Sequence, residues 1–337
     1  MINNIQILRA FAAIYVVIYH TALKLEQSWP IAKYGASGVD LFFVISGFII
    51  TYSFIKRPNL PVQTFFAKRF IRIIPIYWLV TLFYAGLLLF LPRAFETHSF
   101  DLFHLIKSLL FLSLQEYPVL YVGWTLSYEM YFYILFGLSL FTKKAMAPFL
   151  VLVFFIVSTC VGAYLDTPSD YRSDVATSPL LLEFCMGILL AYLFVKGATI
   201  HIPVALSLTL LAILCALTLT AYPRIVGYGL PMTLLFVAVT FLRSYEIKNS
   251  MLKLFGDASY SIYLTHVITL PALHFLSKKV GIYGDSTVTL GVLFLLYVLI
   301  SIVVGVCTYV ILERPITSKL NGRYRLAFES SKEQQQT

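Results

Sequence analysis

Apolar runs long enough to cross a bilayer follow one another along the whole chain, separated by short polar joins. A hydrocarbon core offers no water to satisfy backbone N–H and C=O groups, so only helices or closed barrels cross it. Runs of about 20 residues suit helices. Ten are read at roughly 5–23, 38–56, 73–91, 121–141, 146–165, 178–196, 202–220, 225–243, 258–277 and 288–312. With 59% hydrophobic and 12% charged residues, little remains from which to build a soluble domain. The expected fold is all-α: a polytopic membrane helix bundle of about ten transmembrane helices. The stretch 101–114 (DLFHLIKSLLFLSL) is short and interrupted by polar residues, and is expected as an interfacial helix. Residues 1–320 are expected to form one integral-membrane domain, with Pro315 stopping the last span. Residues 321–337 then form a polar cytoplasmic tail without fixed structure.

Lys and Arg set the orientation. The connections on the side of the termini carry 16 of them and the opposite connections 8, so the positive-inside rule puts both termini in the cytoplasm. The net charge of +9 is then an anchoring signal and gives no argument for nucleic acid. Cys160, Cys185, Cys215 and Cys307 fall within apolar runs without a CxxC or Cys/His pairing, so they read as small buried hydrophobes, and no metal site is expected. Arg9 interrupts the core of any signal peptide, so the first run is expected to stay as a span.

The polar residues inside these runs are costly and therefore informative. Arg9 and His20 are eleven helical steps apart, which returns them to within roughly 20° of one face and separates them by about 16 Å. Ala12, Ala13 and Val16 lie between them, small enough for a second helix or a ligand to approach. Intramembrane ionisable groups usually face a protein interior or a water-filled cavity. Lys68, Arg69 and Arg72 enter the third span, with Arg69 and Arg72 spaced so that both guanidinium forks reach one anion. They anchor to anionic lipid or line a phosphate-binding mouth. Pro75 is expected to disturb the helix nearby. Asp40 either caps the second span or pairs with the His20 imidazole. Gly47 and Ser46 follow it. Glu129, inside the fourth span at a depth expected to match His20, is either a structural partner or part of a site, and Trp124 and Tyr131 share that span. Ser259, Tyr263 and His266 form a polar stripe on the ninth span at i, i+4 and i+7; His266 is a buried structural histidine or a site residue. Glu313 and Arg314 are expected at the cytoplasmic surface.

Taken together, Arg9-x10-His20, GVDLFFVISGF, RFIRIIPIYW, WTLSYEMYFY, SYSIYLTH and the closing ERP resemble the acyltransferase-3 family over about residues 5–316. The resemblance implies a bacterial inner-membrane enzyme that moves an acyl group, most simply acetyl, from cytoplasmic acyl-CoA. The acceptor it implies is a sugar hydroxyl of a cell-surface polysaccharide, such as O-antigen or exopolysaccharide, or its lipid-linked precursor. No tightly bound cofactor is implied: acetyl-CoA is the donor substrate. Under this reading Arg9, Lys68, Arg69 and Arg72 meet the donor, and His20 is the general base or a transient acyl carrier, oriented by Asp40 or Glu129. Ser46, Trp124, Tyr131, Tyr263, His266 and Glu313 are the substrate-contact candidates. Tyr263, Ser261 or the amides near Gly47 supply the oxyanion donors. Two other classes use the same polar interior: a transporter or flippase of a lipid-linked sugar or acyl donor, and a membrane scaffold or sensor. The acceptor sugar and the oligomeric state are not legible.

Overall fold

The computed structural model describes residues 3–27, 29, 32, 34–90, 101–112, 116–142, 144–165, 175–219, 221–243, 249–284 and 286–334, with side chains to 326. All regular structure among them is helical. Helix α1 (Asn3–Lys24) leads through a 3₁₀ turn (Tyr34–Ser37) into α2 (Gly38–Lys56), then α3 (Val62–Phe90) and the short α4 (Leu102–Leu109). There follow α5 (Trp124–Ser139), α6 (Ala147–Tyr164), α7 (Leu181–Val195) and α8 (Ile202–Thr218). A π turn (Ile225–Gly229) opens α9 (Leu230–Thr240), and α10 (Ser250–Asp257) precedes α11 (Ser259–Lys279). The chain closes with α12 (Thr287–Thr308), a second π turn (Tyr309–Glu313) and α13 (Arg314–Gln334). Five helical stretches are long and apolar enough to cross a membrane: Asn3–Lys24, Tyr34–Lys56, Val62–Phe90, Lys144–Tyr164 and Thr287–Leu326. Leu181–Val195, Ile202–Thr218 and Ile225–Thr240 are shorter apolar helices.

Burial divides the bundle into a lipid-type exterior and a polar, aromatic interior. Leu206, Leu210, Leu214 and Leu217 on α8, and Leu295, Leu299 and Val303 on α12, are exposed. Where the surroundings are as apolar as the helix, close backbone approach replaces hydrophobic burial as the source of association. Helices α2 and α7 show this directly: a Cβ on Gly47 would stand 2.2 Å from the Phe184 carbonyl oxygen, and one on Gly187 2.2 Å from that of Val44. The two glycines therefore let the two backbones touch. Gly38 does the same against α1, where its Cβ would meet the Ala12 carbonyl oxygen at 2.4 Å. Ala12 thus admits a second helix. Around these contacts Phe43, Phe132 and Phe184 pack, with ring centroids 4.8 Å (Phe43–Phe184) and 4.7 Å (Phe132–Phe184) apart.

Several local expectations are corrected. Pro75 lies within an uninterrupted α3, so it does not break the helix; prolines are tolerated in membrane helices where neighbouring helices pack around them. Pro315 does not end the helix. The helix runs on through the π turn just before it, whose wider hydrogen-bond spacing shifts the register at the point where the proline lacks its N–H. Helix α13 then covers most of the stretch expected as an unstructured tail; Leu, Lys, Arg and Ala are good helix formers. In the 101–114 stretch, Asp101 caps α4 by accepting from the Phe103 and His104 amides, while 113 and 114 lie outside the described residues. Of the four cysteines, Cys185 is buried, but Cys160 and Cys307 are exposed on the outer surface.

Candidate active site

Three cavities lie in series along the face of α1 that carries Arg9 and His20, and neighbouring cavities share wall residues. The first, about 380 Å³, is a mouth lined by Arg9, Lys68, Arg69, Arg72, Asp257 and Glu313, among others. The second is a narrow inner pocket of about 60 Å³ that reuses Arg9, Arg69 and Arg72 and adds Ser46, Thr125, Glu129, Ser259 and Tyr263. The third, about 550 Å³, holds His20, His266 and Arg224 beneath Tyr19, Tyr84, Tyr117, Tyr121 and Trp124. Val39 and Tyr263 belong to both the inner pocket and this outer cavity. They form the partition between the basic and the aromatic half.

Helix periodicity explains most of this lining. On α11, Ser259 and Tyr263 line the inner pocket and Tyr263 and His266 the outer cavity, so one i, i+4, i+7 stripe follows the passage. The Tyr263 hydroxyl is held at the partition, 3.0 Å from Thr125 Oγ1 and 3.1 Å from the Val122 carbonyl. On α3, Arg69 lies over the Phe65 and Tyr133 rings at 6.0 and 5.8 Å. Its buried Nε, and the buried Oγ of Ser259, have no hydrogen-bond partner among the described residues. Buried polar atoms normally have one. Arg9 donates to Gln6 Oε1 at 3.3 Å.

His20 is gripped rather than merely near the cavity. Its Nδ1 is 3.0 Å from the Val16 carbonyl oxygen and 3.2 Å from His266 Nε2. Its ring stands edge-on to Tyr19 and Tyr121, at centroid distances of 4.9 and 5.4 Å. A carbonyl only accepts, so the contact with Val16 favours the tautomer protonated at Nδ1 and leaves a lone pair on Nε2.

The carboxylates are not where the sequence suggests. Asp40, fully buried, takes a bidentate pair from Arg224, with Nε–Oδ1 at 3.0 Å and Nη2–Oδ2 at 2.7 Å. A guanidinium fork matches a carboxylate better than an imidazole does, so His266 and not Asp40 contacts His20. Glu129 lies in the inner pocket rather than at the level of His20, accepting from Ser46 at 3.0 Å and from the Tyr133 hydroxyl. Glu313 is buried rather than on the surface and accepts from Ser261 at 2.6 Å, which removes Ser261 from the partition. Gly47 is consumed by packing on α7. Tyr131 lines none of the three cavities; its ring stacks on Phe155 at 6.0 Å. Trp124 does line the outer cavity.

Arg224 and Glu183 were missed. Arg224 reads as one more positive residue of a connection. Glu183, fully buried on α7, carried the same signal as Glu129, a carboxylate inside an apolar run.

An all-helical membrane protein with a cationic cavity at one end of a row and an imidazole pair at the other, His266 buried and His20 half-buried, is a scaffold for group transfer, and similarity to known proteins specifies which kind. The chain belongs to the acyltransferase-3 family, whose acyltransferase domain matches residues 2–313, and it is an acyltransferase. It is 32% identical over 327 residues to the exopolysaccharide production protein ExoZ of Rhizobium meliloti, covering 92% of this chain and 96% of that protein. The acyltransferase MdmB of Streptomyces mycarofaciens is 26% identical, with 94% and 92% covered. The O-acetyltransferase OatA of Staphylococcus aureus is 25% identical over 97% of this chain but only 59% of that longer protein. No solved structure matches the chain.

Proposed function

We propose that this enzyme moves an acetyl group from cytoplasmic acetyl-CoA to a sugar hydroxyl of a bacterial surface polysaccharide or its lipid-linked precursor. In this reading the chain crosses the inner membrane ten times with both termini in the cytoplasm. The observation that carries it is the run of three cavities joining Lys68, Arg69 and Arg72 to His20 through shared walls. Two relatives, an exopolysaccharide production protein and an O-acetyltransferase, support the acceptor class and the acyl group.

The basic mouth suits the donor phosphates, because guanidinium forks pair with phosphate oxygens bidentately. The unpartnered Arg69 Nε and Ser259 Oγ are donors toward the arm and thioester in the inner pocket. At the partition the acceptor oxygen attacks the thioester carbonyl carbon while His20 Nε2 takes its proton. The Tyr263 hydroxyl turns from the Val122 carbonyl, which the Thr125 hydroxyl keeps, and donates to the tetrahedral oxyanion. As the C–S bond breaks, the proton on Nε2 passes to the departing thiolate. The charge on the transient imidazolium is shared through Nδ1–H with His266 Nε2, 3.2 Å away. His266 is thus a positioning residue for His20. The aromatic walls of the outer cavity suit sugar rings, whose C–H faces pack on Tyr and Trp.

The test uses purified protein, radiolabelled acetyl-CoA and a surface-glycan acceptor. Label is expected on the glycan, and not with His20→Ala at equal membrane levels; retained transfer by that variant would remove His20 from the chemistry.

A further inference from the structure

The family match ends at residue 313, and α13 begins at Arg314. Yet α13 belongs to the mouth. Thr317 and Asn321, one turn apart on it, line the 380 Å³ cavity together with Gln6, Arg9, Lys68 and Tyr309. Tyr324 ties the helix to α3 through its hydroxyl, 3.1 Å from Thr64 Oγ1.

The lining of this cavity is of two kinds. Lys68, Arg69 and Arg72, all from α3, are cationic, and Arg9 adds a fourth positive group. Tyr309, Thr317 and Asn321, from the second π turn and α13, are uncharged and offer a ring, a hydroxyl and a carboxamide. Two carboxyl groups stand between these two kinds of lining, each with a hydrogen-bond partner of its own: Asp257 accepts from Gln6 at 2.9 Å and Glu313 from Ser261 at 2.6 Å. Lys68 and Arg69, further along α3, leave cationic surface for phosphate. A ligand with a polyanionic end and a flat, neutral, hydrogen-bonding end fits this polarity, and a purine nucleotide is such a molecule.

Thr317 has already donated its hydroxyl hydrogen to the Glu313 carbonyl at 2.7 Å. Asn321 donates one amide hydrogen to the Thr317 carbonyl at 2.8 Å. That bond fixes the carboxamide and leaves Oδ1 and the second N–H of Asn321. An amide oxygen beside an amide N–H is the pattern that pairs with the N6 amino group and N7 of adenine, and a tyrosine ring is a platform for a base.

We propose that α13 is the base-binding wall of the donor site: Asn321 pairs with the adenine edge and Tyr309 stacks on its face, while α3 holds the phosphates. This rests on the acyl-CoA reading above. It gives α13, outside the family match, a direct part in choosing the donor.

The experiment measures binding to the full-length protein in detergent by calorimetry. The probes are CoA, its hypoxanthine analogue, in which the N6 amino group is replaced by oxygen, and 4′-phosphopantetheine, which has no base. The wild type is expected to bind CoA about tenfold more tightly than the hypoxanthine analogue, the discrimination a bidentate amide–adenine contact supplies. Asn321→Ala is expected to erase that preference and to leave 4′-phosphopantetheine binding unchanged. Equal wild-type affinity for the two base analogues, or an Asn321→Ala protein that keeps the preference, would overturn the assignment of α13 while leaving the donor reading intact. Wild-type protein that binds no CoA would overturn the donor reading and this inference with it. Because the first comparison uses wild-type protein, it does not depend on a variant folding.

Discussion

The two ends of the row of cavities are built from opposite chemistry. The inner half gathers Arg9, Lys68, Arg69 and Arg72 around a mouth and a narrow pocket, and its acids, Glu129, Asp257 and Glu313, all hold hydrogen bonds from neighbours. The outer half is a wide cavity of tyrosines and a tryptophan over two imidazoles; of its two cations, Arg224 is neutralised by Asp40 and Lys24 is the other. A cluster of four cations on one side and a mainly aromatic, ring-binding surface on the other is what two substrates of different charge require. Two residues face both, Tyr263 and Val39, and Tyr263 is the polar one.

This contrast assigns different penalties to the two halves, and the largest falls on the outer one. His20→Ala should lower kcat by about 10²–10⁴-fold, the range typical of general acid–base catalysis, with acetyl-CoA affinity unchanged in a binding assay. A matching loss of donor affinity would erase the distinction between the halves. Arg72→Ala should act the other way, weakening acetyl-CoA binding by roughly 10–100-fold through loss of a charged hydrogen bond, with KM rising more than kcat falls. His266→Gln should cost about tenfold in kcat, because His20 keeps its contact with Val16 and loses only its second partner; the pH profile of kcat should move with it, which a purely structural role would not do. Asp40→Asn separates structure from chemistry: it leaves Arg224 a half-satisfied charge and should destabilise the fold by about 3–5 kcal/mol. Detergent thermal unfolding would report that loss, and removing Arg224 as well should restore part of it. Tyr131→Phe, outside the walls of the three cavities described, should leave transfer within about twofold of wild type.

How much of this was legible in the sequence follows from the distance along the chain over which each feature acts. The helices and the shared face of Arg9 and His20 depend on periodicity within one segment, and so do the Arg69–Arg72 pair and the Ser259–Tyr263–His266 stripe. The structure is all-helical among the described residues, Arg69 and Arg72 line one cavity together, and the stripe runs from one cavity to the next. The partnerships join residues far apart: His20 and His266 are 246 positions distant, Asp40 and Arg224 184, and Ser46 and Glu129 83. Nothing in local spacing says which buried carboxylate meets which cation. Local spacing therefore leaves Asp40 open between a cap of the second span and a partner of the imidazole, and does not reveal the guanidinium of Arg224. Depth along a helix was misread for Glu129, since α5 starts only at Trp124 after a 3₁₀ turn. Helix α13 escaped because Pro315 is a stop signal in most contexts, and the π turn that neutralises it leaves no mark in composition.

Sealed vesicles bearing the protein in one orientation test the central claim most directly. Labelled acetyl-CoA is supplied only on the side of the basic mouth and the glycan acceptor only on the side of the outer cavity. Label should appear on the glycan across the intact membrane, and the His20→Ala protein should show none. Transfer that occurs only when both substrates share one side would contradict a passage that brings them together from opposite faces.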